Sequence, residues 1–88
     1  MHDEVVARFP AGLTRGQFKL VTLESADEED GRVYPPSVAD GVMATHSLMM
    51  ALWLHDKVVE PGWRGYDVPM WWKITQTGRD WVAAQNGN

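Results

Sequence analysis

Trp72-Lys73-Ile74-Thr75-Gln76-Thr77-Gly78-Arg79 is the stretch whose reading decides the fold. It opens in alternation: Met70, Trp72 and Ile74 fall on one face of an extended chain, and Trp71, Lys73 and Thr75 on the other. It closes on a helix start, where Thr77-x-x-Asp80 precedes Trp81 and Val82. Just upstream, Val58 and Val59 lead into Pro61-Gly62, and Arg64-Gly65-Tyr66-Asp67 is turn-like. The expectation is a strand pair closed by a long loop and running into a short C-terminal helix.

Moving towards the N-terminus, Val42 to Leu54 is apolar nearly all round, the pattern of a helix buried on most sides. Met43, Leu48, Met49, Leu52 and Trp53 are its expected core residues. Gly41 reads as a break, with Thr45 placed to cap a helix after it and Ser37, backed by Asp40, to cap a shorter one before it. Val33-Tyr34-Pro35-Pro36 is extended, because a residue that precedes proline is pushed out of the helical region. Thr14-x-x-Gln17 is a capping box with Leu13 and Phe18 at the staple positions. The helix it starts turns Phe18, Val21 and Leu20 inward and fades near Ser25, before the charged run Asp27 to Asp30. Residues 1–12, with Val5, Val6 and Phe9, read as an arm packed on the body.

The totals fit one small domain of 88 residues, with 44% apolar and 23% charged residues and five tryptophans to supply buried area. The absence of cysteine removes disulfides and thiolate metal sites, and suits a cytoplasmic setting. The acidic start lacks the features of a signal peptide, and the run from Val42 to Leu54 is too short to span a membrane, so a soluble protein is expected. A net charge of −4 leans against a generic nucleic-acid binder, whose affinity comes mostly from phosphate contacts.

The order of parts, together with Trp72-x-Ile74-Thr75-x-x-Gly78-Arg79, resembles the winged helix-turn-helix fold of bacterial and phage proteins. The fold class so implied is α+β: three helices, a two- or three-stranded β wing and a short C-terminal helix. Residues 1–12 are the arm, 13–57 the helical part, 58–76 the wing and 77–85 the last helix. In DNA-binding members of that fold the helix before the wing, here about Thr45 to Lys57, enters the major groove. Direct readout needs forked or amide donors, and none stands between Ala44 and Asp56. A DNA-binding regulator would have to use Thr45, His46 and Ser47 with Arg64 and Lys73 from the wing.

Catalysis is not expected, and neither a cofactor nor a metal. His2, His46 and His55 show no metal-ligand spacing, no glycine-rich phosphate loop occurs, and Glu28-Glu29 lies in a polar run that would not raise a carboxyl pKa. The acidic stretch Glu24, Asp27, Glu28, Glu29 and Asp30 reads either as a solvated loop or as a negative surface for a basic partner. Trp63, Tyr66 and Trp71 near the hairpin read either as interface anchors or as a cover for the arm. The expectation is a protein-interaction module, similar in size, charge and fold to phage and mobile-element accessory proteins such as anti-CRISPR proteins. Its partner would be a protein or a nucleoprotein complex, and a homodimer through the apolar helix is open to it. The alternative is the DNA-binding regulator.

Overall fold

Thr14 opens the first helix as the capping box requires. Its hydroxyl accepts from the Gln17 N–H at 3.1 Å, and the Gln17 side chain accepts from the Thr14 N–H at 2.8 Å. The structure, a computed structural model, describes residues 14–36, 42–62 and 71–87. Among these the elements are α1 (Arg15–Glu24), α2 (Val42–Leu54), β1 (Val59–Gly62), β2 (Trp71–Ile74) and α3 (Gln76–Asn86). The described residues thus form an α+β fold, with three helices and a two-stranded antiparallel sheet. The arm, the Ser37 cap and the segment between the strands lie outside the described residues.

The sheet pairs Val59 with Ile74, Glu60 with Lys73, Pro61 with Trp72 and Gly62 with Trp71. Its inner face carries Trp72 and Ile74, as the alternation predicts. They meet Phe18 and Leu23 of α1, Met49 and Leu52 of α2, and Val33, Val58 and Val59 in one core. Trp53 sets its ring edge-on to Trp72, with centroids 5.7 Å apart. Trp81 of α3 is half-buried under the Lys19 ammonium, which lies 4.4 Å from the ring centroid and also pairs with Asp56 at 3.0 Å.

Several sequence expectations are corrected here. α2 begins at Val42 and runs through position 45, so Thr45 lies within the helix and not at its start. α2 is buried or half-buried on most sides, as expected, with Met43, Ser47 and Leu54 exposed along one narrow stripe among its described side chains. Its inner stripe is set by Met49 and Leu52, and Met43, roughly 120° round the helix from Met49, is 74% exposed. Val21 is 40% exposed because the buried line of α1 runs through Phe18, Thr22 and Leu23 instead. α3 is capped by Thr75 and not by Thr77: the Thr75 hydroxyl accepts from the Gly78 N–H at 3.1 Å.

That cap belongs to a junction. The Thr75 hydroxyl also donates to the Lys57 carbonyl at 2.7 Å, and the Thr75 N–H donates to the Val58 carbonyl at 3.0 Å. Lys57 adopts the left-handed region, φ 60°, to turn the end of α2 into β1, a conformation that costs a residue with a Cβ. Gly78 lets α3 approach this turn. A Cβ there would meet the Val58 carbonyl oxygen, with Ile74 Cγ1 only 2.8 Å away. Gly78→Ala is therefore expected to destabilise by on the order of 2 kcal/mol through overpacking. Gly16→Ala on α1, where a Cβ would meet only the Thr14 hydroxyl at an ordinary 3.9 Å, should gain about 0.5 kcal/mol. The Thr22 hydroxyl is fully buried and finds no hydrogen-bond partner among the described residues. Thr22→Val should therefore stabilise by about 1 kcal/mol. Urea unfolding monitored by tryptophan fluorescence reads all three.

Candidate protein-interaction surface

The outer face of the sheet is built from residues that the sequence separates by some forty positions. Arg32 bridges to Lys73 on the free side of β2, where the Val33 N–H donates to the Trp72 carbonyl at 3.0 Å and the Ile74 N–H to the Gly31 carbonyl at 2.8 Å. Continuing that antiparallel register brings Tyr34 opposite Trp71. Since Val33, Trp72 and Ile74 point into the core, Arg32, Tyr34, Trp71 and Lys73 share the opposite face. The Arg32 guanidinium lies 5.4 Å from the Tyr34 ring and 5.6 Å from the Trp71 ring, in cation–π range of both. Tyr34 is 52% exposed. Trp71 is half-buried and rests across Gly62, its partner in register, where any Cβ would enter the indole. Lys73 stands between Arg32 and Glu60, whose opposite charge eases the pair of cations.

The acidic run beside this face is folded. Asp27 Oδ1 accepts from the backbone N–H groups of Asp30, at 2.9 Å, and Gly31, at 3.1 Å, and Oδ2 takes a long 3.4 Å bond from the Tyr34 hydroxyl. Asp30 Oδ1 accepts from the Arg32 N–H at 3.0 Å. Gly31, φ 75°, makes the reversal, and the Asp27 N–H donates to the Arg32 carbonyl at 3.0 Å. The Asp30 N–H foremost, then the Asp30 side chain, the Gly31 N–H and the Tyr34 hydroxyl hold the Asp27 carboxyl below its ordinary value of 3.8.

The acidic candidates therefore divide. Asp27 and Asp30 build the turn, Glu28 and Glu29 are exposed beside it, and Glu24 accepts from Asn86 of α3 at 3.3 Å. Trp71 joins the turn through Arg32 and Tyr34, two residues that the sequence reading did not select. Their alternation about Val33 was visible; the pairing with β2 that gives it meaning was not. Trp63, Arg64 and Tyr66 lie outside the described residues. Of the candidate DNA-reading side chains on α2, Ser47 is exposed, while Thr45 and His46 are half-buried, with the His46 ring 6.3 Å from Trp72. His55 lies at a shallow groove between α1 and α2, so the described histidines are not brought together. Among the described residues no helix is long and apolar enough to cross a membrane.

Because the Asp27 pKa is lowered by folding, its contribution to stability is present above pH 3.8 and is lost as the pH falls through the folded value. The stability difference between wild type and Asp27→Asn should hold from about pH 6 down to the carboxylate range and shrink below it, as read by thermal melts at stepped pH. No protein-family model, curated protein or solved structure matches this chain.

Proposed function

We propose that this chain is a non-catalytic protein-interaction module that occludes a partner, in the manner of phage and mobile-element accessory proteins such as anti-CRISPR inhibitors, on a winged-helix-like scaffold. The scaffold reading is supported by the order α1, a bridged extended segment, α2, two antiparallel strands and α3. The observation that carries the function is the Arg32 guanidinium between Tyr34 and Trp71, with Glu28 and Glu29 exposed alongside. Trp, Tyr and Arg are the residues in which interface energy concentrates, and clustering them costs little side-chain entropy on a strand already fixed by the core. Exposed carboxylates beside them select a basic partner surface. Trp63 and Tyr66 join the proposal on sequence alone.

The regulator alternative needs α2 to read base edges, and Ser47 is the exposed member of its Thr45, His46 and Ser47 set. The surface chemistry favours a protein. Immobilised wild type should retain a protein that Tyr34→Ala releases with roughly tenfold or greater loss of affinity, and that Glu28→Lys with Glu29→Lys also weakens. Salt-sensitive retention of duplex DNA, reduced by Arg64→Ala or Lys73→Ala and indifferent to Tyr34→Ala, would replace this reading with the regulator.

A further inference from the structure

The outward side of α2 is apolar and patterned. Met43, Ser47, Met50 and Leu54 follow one another at intervals of four, three and four residues, the spacing of a seam that accepts another helix. Met43 and Leu54 are 74% and 50% exposed, Ser47 is exposed and Met50 is half-buried. The opposite stripe, Met49 and Leu52 with Trp53, faces the core, and Met50 packs against its edge, so Met43, Ser47 and Leu54 stand exposed on a helix that is itself well seated.

Two properties say what fits there. From Val42 to Leu54 the helix carries no Asp, Glu, Lys or Arg. A basic or acidic partner therefore gains nothing from it, whereas a second uncharged seam loses nothing in meeting it. The stripe also reads the same from either end: reversed about its midpoint, Met43 exchanges with Leu54 and Ser47 with Met50. A two-fold axis across the helix then sets each Met43 against Leu54 of the partner subunit and each Met50 over the small Ser47 of the partner subunit.

We infer that two copies of this chain associate through α2 in antiparallel fashion, with Met43, Ser47, Met50 and Leu54 as the seam. A helix of 13 residues is about 20 Å long, too short alone to reach the roughly 800 Å² per partner of a standard interface. The dimer is accordingly concentration-dependent, and it forms on a face of α2 turned away from the sheet.

Sedimentation velocity over roughly 1 to 300 µM protein tests this. Wild type should shift from monomer to dimer across that range, while Met43→Glu and Leu54→Lys should each stay monomeric with unchanged circular dichroism. Mixed in equal amounts, the two variants should associate. The introduced carboxylate at position 43 then faces the introduced ammonium at position 54 of the other copy, and the second contact keeps its native Leu54 and Met43. A wild-type monomer at the highest concentration overturns the proposal. So does a dimer that Met43→Glu leaves intact, or a mixture of folded variants that stays monomeric, since a parallel pair would bring each position against its own copy.

Discussion

The hydroxyl of Thr75 holds three parts of the chain at one point. It donates to Lys57 at the end of α2 and accepts from Gly78 in the first turn of α3, while the backbone of the same residue bonds Val58 at the start of β1. Each bond is worth only about 1 kcal/mol; what they fix is geometry. The turn at Lys57 sets where β1 begins, the pairing of Val59 with Ile74 sets the register, and the register decides which side chains of β2 enter the core. Slide that pairing by one residue and Trp72 and Ile74 would surface while Trp71 and Lys73 were buried. The Arg32 bridge and the patch around it would go with them.

From this point the molecule acquires two unlike surfaces. The sheet turns Trp72 and Ile74 towards α2 and presents Arg32, Tyr34, Trp71 and Lys73 on its back, with rings, cations and nearby carboxylates in a small area. α2 gives its inner stripe to the same core and presents an uncharged seam on its far side. The first surface is varied in charge and shape; the second is distinguished mainly by the spacing of its side chains. Association through α2 would leave the sheet face open on both copies, and would also withdraw α2 from any role in a DNA groove.

Local chemistry made much of this legible. The Thr14–Gln17 box needs only four consecutive residues, and the alternation through Trp72 and Ile74 needs only a buried face, so both could be read directly. The sequence points to Thr77 and not Thr75 as the helix cap, because either threonine suits the pattern and only the tie to Lys57 chooses between them. Met43 is a poor core choice for a related reason: a helix apolar on all sides has no preferred inward face until neighbours supply one, and Met43 falls on the uncovered side. Arg32 and Tyr34 were invisible as partners of Trp71, since a pairing across some forty residues leaves no trace in local periodicity. Glycine announces a left-handed turn, and the turn at Lys57 has none.

The prolines of the sheet carry a consequence for how anything can bind it. Pro61 sits in β1 opposite Trp72 and has no N–H to offer to an added strand. On the other side, the extended segment that bridges through Arg32 runs into Pro35 and Pro36 two residues after Val33. Both margins are thus poor templates for β-augmentation, in which a visiting peptide is held chiefly by its backbone and almost any sequence of suitable shape is accepted. Any partner of the sheet would be driven onto its flat, where side chains do the selecting, and indiscriminate strand-to-strand aggregation is discouraged by the same two features.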